Sequence, residues 1–478
     1  MGICSMQYVI FLIVTLAIYY ILPNKIRFIQ KYILLAASIV FYISFKWIAV
    51  IFVGITSIAA FLCALLFRNN KAFNKFLVFI FILTDVGSLF LLKYQSFFNI
   101  GNISETFSDY LIIPLGISFY SLSVLGYVID VYRGKYKAER NIFRFLLFVL
   151  FFPHIMQGPI ARYDMLKQQF ENVHIFDWNR FCYGLQLMLW GYIKKMVVAD
   201  SAAVFVNNVY EYGIVEGGTQ LFVAGLLYTI EIYADFSGCV DIVTGTAELF
   251  GIELMKNFEQ PYFSHTLNEF WRRWHISLSS WFRDYLYIPL GGNRKGTVRR
   301  FINMLIVFIV SGIWHGVGYS FIAWGLIHGM YQIAESVFYH SVIKKKPGEV
   351  SEKLRWVQQF VTFNVVNIAW IFFRVDSVKS AIKIIIRIIT KPTPAILVNG
   401  HLFDYGIAPI SMIILLIFIL LLFVVDYYNK KGVVIRELIS TQPIVIRWTI
   451  WLIGISVVII FGAYGSGYNA SDFIYMNF

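Results

Sequence analysis

The sequence predicts an all-α, polytopic membrane bundle of roughly 10 to 13 spans, and three observations lead to it. Hydrophobic residues make up 59% of the 478 positions and charged residues 14%, where a soluble domain carries about 25% charge. Apolar runs of about 17 to 25 residues, enough to cross ~30 Å of hydrocarbon, recur from end to end and leave no room for a large soluble domain. The chain also carries 30 tyrosines and 12 tryptophans, which favour the two membrane interfaces, and 46 phenylalanines, which suit the apolar depth.

The runs fall at residues 6–22, 32–44, 48–67, 76–92, 110–131, 143–156, 181–198, 220–241, 301–314, 320–338, 356–373, 410–425 and 447–463. Several are shorter than about 18 residues, so tilted, broken or re-entrant segments are expected among them. The first run lacks a basic stretch ahead of it and a small-residue cleavage site, and is read as a retained span. The basic stretches NKIR, RNNKAFNK and RGKYKAERNIFR, with KKK at 344–346 and NKK at 429–431, mark the cytoplasmic side and set both chain ends outside it. The net charge of +13 is therefore read as topology, not as a nucleic-acid surface. Lys379, Lys383 and Arg387, spaced by four among isoleucines, predict an amphipathic helix over 377–390 lying along a membrane surface. Cys4, Cys63, Cys182 and Cys239 show no CxxC spacing, so neither a disulfide nor a zinc site is expected. No repeat or linker divides the chain, which is read as one integral-membrane domain over 1–478 with N-terminal helices to 131, a core over 132–375 and C-terminal helices from 376.

One segment does not read as lipid-facing helix. Residues 257–300, NFEQPYFSHTLNEFWRRWHISLSSWFRDYLYIPLGGNRKGTVRR, carry too much charge to cross a bilayer, and are expected to be cytoplasmic, interfacial or folded into a protein-lined basin. Phe270, Trp271, Trp274, Leu278, Trp281 and Phe282 recur at intervals of three and four, which predicts one amphipathic helix with Arg273 and His275 off its apolar stripe. Pro289 and GGNRKG supply a turn, and amides beside Arg294 and Lys295 suit a phosphate. Interleaved arginine and tryptophan equally suit an interfacial anchor, so Arg272 and Arg273 carry both readings.

The second unusual stretch is IVSGIWHGVGYSFIAWG, residues 309–325. An ionisable group inside an apolar run is costly without a cavity, partner or reaction, and His315 has Gly312, Gly316 and Gly318 around it, which allow close approach of a helix or ligand. A desolvated imidazole is neutral and can accept a proton. Further polar groups sit in apolar runs: Asp235, Ser237 and Asp241 in YADFSGCVD, His154, Gln157 and Arg162 in PHIMQGPIAR, and His328 in GLIHGM. They imply a polar interior. That interior fits a reaction chamber, a proton-coupled transporter path or a purely structural core. The missing internal duplication, common in transporters, favours the enzyme.

The elements FYISFKW, IPLGISFYSLSVLGYVIDVYRG, FFPHIMQGPIAR, GYIKKMVVAD, IYADFSGCVDI, KNFEQPYFSHTLNEFWRRWHISLSSWFRDYLYIPLGGNRKG, SGIWHG and the terminal FIYMNF resemble the membrane-bound O-acyltransferase (MBOAT) family, in its bacterial alginate O-acetyltransferase branch. They span nearly the whole chain, and EFWRRWHISLSSWFRDYLYIPLGG is the most specific of them. The family's WHG histidine matches His315 and the histidine of its WHxSLSxWFRD element matches His275. Ser311 stands where a glycine is usual, and Cys239 and Val240 replace polar positions. Relatives that pass D-alanine toward teichoic acid share the WFRD region but fit the YIPLGGNRKG loop less well.

The resemblance implies a helical bundle around a tunnel or funnel leading to an intramembrane histidine, in a multi-pass protein of the bacterial cell membrane. It implies transfer of an acyl group, acetyl first, from a cytoplasmic thioester such as acetyl-CoA for O-acylation of an extracytoplasmic polysaccharide, with D-alanyl transfer as the alternative. His315 would act as general base or transient acyl carrier, and His275 would orient or polarise the donor carbonyl. Arg272, Arg273, Arg294 and Lys295 would compensate the donor's phosphates. Asp235, Trp274, Trp314 and Gln157 would support the site. No tightly bound cofactor or metal is expected. Expected partners are an SGNH-type acyltransferase or a polysaccharide-synthesis complex, and membrane lipid.

Overall fold

The computed structural model describes residues 1–45, 47–94, 116–155, 157–212, 217–344 and 351–463, and among these the regular structure is helical throughout. The start of the expected span at 110–131, Met156, Lys345, Lys346 and the terminal FIYMNF lie outside the described residues. Eight of the described helices are long and apolar enough to cross a membrane, and Met6–Ile21 and Ile117–Tyr132 are shorter apolar helices. The all-α polytopic class stands as predicted, with eight such helices among the described residues, or ten with the two shorter ones.

Some expected spans are built differently. The run at 143–156 is broken into Ile142–Leu150 and Phe152–Ile155, because Pro153 cannot continue the preceding hydrogen-bond ladder. The run at 181–198 is a helix, Trp178–Tyr192, that widens into a π-helical turn, Ile193–Ala199, before Asp200–Tyr212. The run at 220–241 belongs to a single 32-residue helix, Gly218–Leu249, whose polar residues interrupt the hydropathy without interrupting the helix. Helix Gly296–His315 starts earlier than its apolar run, so Arg299 and Arg300 stand in its first turns and not in a loop. Val378–Thr390 is the expected amphipathic helix: Ala381 and Ile384 are buried while Lys379 and Lys383 are exposed.

Contacts gather into two compact units. The first comprises 1–188 and 240–255, and its centre is a chain of aromatic rings: Phe11 meets Phe152 at 5.2 Å, and Tyr19 meets Phe250 at 5.1 Å. Hydroxyls tie the same region, Tyr8 to Thr246 at 3.0 Å and Tyr20 to the Leu249 carbonyl at 2.7 Å. A buried tyrosine must find a partner for its hydroxyl, so the N-terminal helix is fixed by these bonds as well as by packing. Outward positions such as Ile10, Ile13, Ile55 and Phe79 are exposed, as faces toward lipid must be.

The second unit comprises 189–239 and 256–478. Its core contains the fully buried indoles of Trp274, Trp324 and Trp370. Its tightest feature is the hairpin of Gly296–His315 and Tyr319–Phe338. A Cβ on Gly312 would run into the Phe321 carbonyl, and one on Gly325 into the Phe308 carbonyl. The two backbones therefore touch, as small residues permit in lipid, where packing and not hydrophobicity drives association. Gly325→Ala is expected to cost about 1–3 kcal/mol through overpacking. Gly54→Ala, in another apolar helix but with open space around its Cβ, should leave the melting temperature in detergent unchanged. Equal melting of the two variants would refute the close packing.

Candidate active site

The expected single helix across 270–282 is interrupted at the residue that matters. Helix Leu267–Arg273 ends at Trp274, and His275 takes a left-handed conformation, φ 45° and ψ 53°, before helix Ile276–Phe282 begins. Such a backbone is uncommon for a side chain other than glycine and asparagine, and it persists only where surroundings enforce it. Asn257 does so. Its carbonyl accepts from the Ile276 amide at 2.9 Å, and its Oδ1 accepts from the Ser277 amide at 3.1 Å and the Ser277 hydroxyl at 2.8 Å.

The same Oδ1 lies 3.3 Å from Nδ1 of His275. An oxygen that accepts from the Ser277 amide cannot donate, so Nδ1 of His275 carries the proton and Nε2 carries the lone pair. His275 is wholly buried, and burial pushes its imidazolium down to about 3, so the ring is neutral at physiological pH. Asn257→Ala removes the acceptor from three buried donors, the Ser277 amide, the Ser277 hydroxyl and His275 Nδ1, and should destabilise the fold by about 1–3 kcal/mol. Asn257→Asp keeps the acceptor and should melt higher than the alanine variant; the reverse order would reject this assignment.

His315 closes helix Gly296–His315 and is 3% exposed. Ring centroids place Trp314 at 4.8 Å, Trp324 at 5.1 Å and Phe373 at 5.4 Å from it. Trp314 also lies 6.2 Å from His275. The two histidines predicted from sequence thus share one indole. His275 also meets Phe236 at 4.8 Å, and Trp274, directly before it, packs on Phe258 at 5.1 Å and Trp370 at 5.2 Å.

Phe236 is held by its neighbours in sequence. Lys195, in the π-helical turn, lies 2.6 Å from Asp235 and 2.8 Å from Asp200, and Lys194 donates to the Ser237 hydroxyl at 3.0 Å. The two segments approach so closely that a Cβ on Gly238 would stand 2.9 Å from the Gly191 carbonyl. Asp235 is therefore the partner of a buried ammonium one residue from the ring that supports His275. Both lysines are buried, as is the whole of the π-helical turn that carries them.

Of the cationic residues expected to meet a donor, Arg272, Arg294 and Lys295 are exposed, whereas Arg273 pairs with Glu269 at 2.8 Å and donates to the Glu259 carbonyl. The segment itself is no surface anchor, since Trp274, His275 and Ser277 are entirely buried. Gln157 is buried in the first unit, not in the unit that holds the histidines. Sequence reasoning passed over Lys195, Asn257, Phe236, Trp324 and Trp370. Clefts of about 580 and 980 Å³ are lined by other residues than the two histidines, one by Met330, Ala334 and Phe338, the other by Tyr132, Lys137 and Arg140.

Comparison with known proteins bears on this arrangement. Residues 136–375, which include both histidines, match the model of the membrane-bound O-acyltransferase family. The chain is 33% identical over 386 residues to the probable alginate O-acetylase AlgI of Pseudomonas aeruginosa, covering 78% of this chain and 71% of that one. It is 32% identical to the peptidoglycan O-acetyltransferase of Helicobacter pylori over 66% of this chain and 65% of that one. Against the teichoic acid D-alanyltransferase of Streptococcus thermophilus the identity is 27%, over 54% and 68%. With the WHG histidine and the WHISLS histidine on one indole, in a helical multi-pass chain that these matches cover, the protein belongs to the membrane-bound O-acyltransferase (MBOAT) family and is an O-acyltransferase.

Proposed function

We propose that this enzyme moves an acyl group, acetyl first, from a cytoplasmic thioester such as acetyl-CoA across the bacterial cell membrane for O-acylation of an envelope polysaccharide. The observation that carries the reading is that His315 and His275 both contact the Trp314 ring, at 4.8 and 6.2 Å. The relatives' substrates, alginate and peptidoglycan, support the polysaccharide. Family membership sets aside the transporter reading.

In the proposed reaction His315 takes the proton of an acceptor hydroxyl as its oxygen attacks the thioester carbonyl. The tetrahedral adduct collapses, the carbon–sulfur bond breaks and the imidazolium returns its proton to the leaving thiolate. His275 cannot polarise a carbonyl through Nε2, because its proton is on Nδ1; the reading supported here is that it accepts a hydrogen bond and orders the site. Exposed Arg294 and Lys295, on a loop with left-handed Gly291 and Gly292, suit the donor's phosphates. A passage from both aqueous faces to His315 belongs to the proposal. So does an SGNH-type acyltransferase that completes transfer to the polymer.

D-alanyl transfer is the second reading, favoured by the similarity to teichoic acid D-alanyltransferases. One experiment separates the two: mass spectrometry of envelope polymers from cells with and without the protein, paired with reconstitution of the purified enzyme and labelled acetyl-CoA. Acetyl esters that depend on the protein support the proposal. D-alanyl esters, or polymers identical in both strains, would overturn it.

A further inference from the structure

The motif WGLIHG, residues 324–329, places two rings, each followed by a glycine, on the helix packed against the one bearing His315. Trp324 and His328 are both wholly buried. Their rings meet at 5.0 Å, Trp324 stacks on Trp370 at 5.9 Å, and Trp324 meets His315 at 5.1 Å. The close fit of Gly325 against the Phe308 carbonyl and of Gly329 against Leu305 holds this row of rings in place.

The protonation state of His328 follows from its partner. Trp271 Nε1 donates to His328 Nδ1 at 3.3 Å. An indole can only donate, so Nδ1 is the acceptor and the proton of the neutral ring is on Nε2. That Nε2–H, together with the indole N–H groups of Trp324 and Trp370, is buried and has no acceptor among the described residues. Buried donors are seldom left so, and each one demands an explanation. Water is a poor occupant for this cluster: a water that accepts there must also donate, and the three side chains offer no acceptor, the Nδ1 of His328 being already taken. A carbonyl oxygen, which only accepts, fits.

We infer that Trp324 Nε1–H and His328 Nε2–H are an oxyanion-binding pair that holds the carbonyl oxygen of the acyl group undergoing transfer at His315. The inference rests on the proposed acyl-transfer reading and supplies what His275, with its lone pair on Nε2, does not. As the hydroxyl attacks, the carbon–oxygen double bond opens and negative charge collects on that oxygen. Two fixed donors in a dry site stabilise the charge without reorganising. It returns to the carbonyl when the thiolate leaves.

The test compares wild type, Trp324→Phe, His328→Leu and His328→Gln in membranes supplied with labelled acetyl-CoA, with melting temperatures measured on the same preparations. Phenylalanine keeps a ring against His315 and lacks the donor; glutamine restores an N–H near the position of Nε2. Losing one oxyanion donor lowers kcat by about 10² to 10³, so that drop is expected for Trp324→Phe and His328→Leu with KM little changed, and recovery of at least about tenfold for His328→Gln. Variants that keep more than about a tenth of kcat would overturn the inference while leaving the acyl-transfer reading intact. So would a loss that follows melting temperature and is not recovered by glutamine. A wild type no more active than His315→Ala would instead remove the reading, and the inference with it.

Discussion

His315→Ala is expected to lower acyl transfer by about 10² to 10⁴, the usual contribution of a positioned general base, while the protein still inserts and accumulates in the membrane. The ring packs against Trp314, Trp324 and Phe373, so alanine also opens a cavity and some stability is lost with it. His315→Gln separates the two effects. It refills most of the volume and keeps polar atoms, but glutamine does not accept a proton at neutral pH. Both variants should therefore be equally inactive, and the glutamine variant should melt closer to wild type. Polymer-bound esters measured beside membrane abundance decide the matter. Undiminished esters in either variant would remove His315 from the chemistry, and activity restored by glutamine would make its role one of packing alone.

What the sequence disclosed about this site and what it hid have separate physical causes. A histidine in an apolar run is visible because its cost in lipid is visible, and His315 is buried at the end of its helix. The apolar runs likewise marked the spanning helices, since hydropathy over about twenty residues is a property of the chain alone. The break at His275 was hidden: Phe270, Trp271, Trp274, Leu278 and Trp281 keep helical spacing across it, and the cause of the break is Asn257, eighteen positions earlier. Spacing likewise does not reveal that Glu269, one turn before Arg273, pairs with it. His328 was visible as a polar group in an apolar run, but its place in a buried row with Trp324 and Trp370 was not, because a donor without an acceptor is recognisable only in three dimensions.

The largest effect on stability is expected from Lys195→Met. The ammonium is 4% exposed and lies between Asp235, 2% exposed, and Asp200, 13% exposed. Removing one member of a buried ion pair leaves a desolvated charge without compensation, which costs about 3–5 kcal/mol, a large share of the roughly 5–15 kcal/mol that holds an ordinary soluble domain together. The double variant Lys195→Met, Asp235→Leu removes the deeper carboxylate as well. Asp200, nearer to water, can then stay solvated, so the double variant should recover most of the lost stability; a buried pair is worth little over a well-packed apolar replacement, although breaking it is costly. Activity should follow a different order. Asp235 precedes Phe236, whose ring supports His275 at 4.8 Å, so a stable double variant that still packs Phe236 should retain transfer, whereas the single variant should lose both. Thermal melting in detergent with ester content measured in parallel reads the two outcomes. A Lys195→Met protein as stable as wild type would show that the ion pair does not hold the long helix. A double variant that is stable but inactive would give Asp235 a direct part in the reaction.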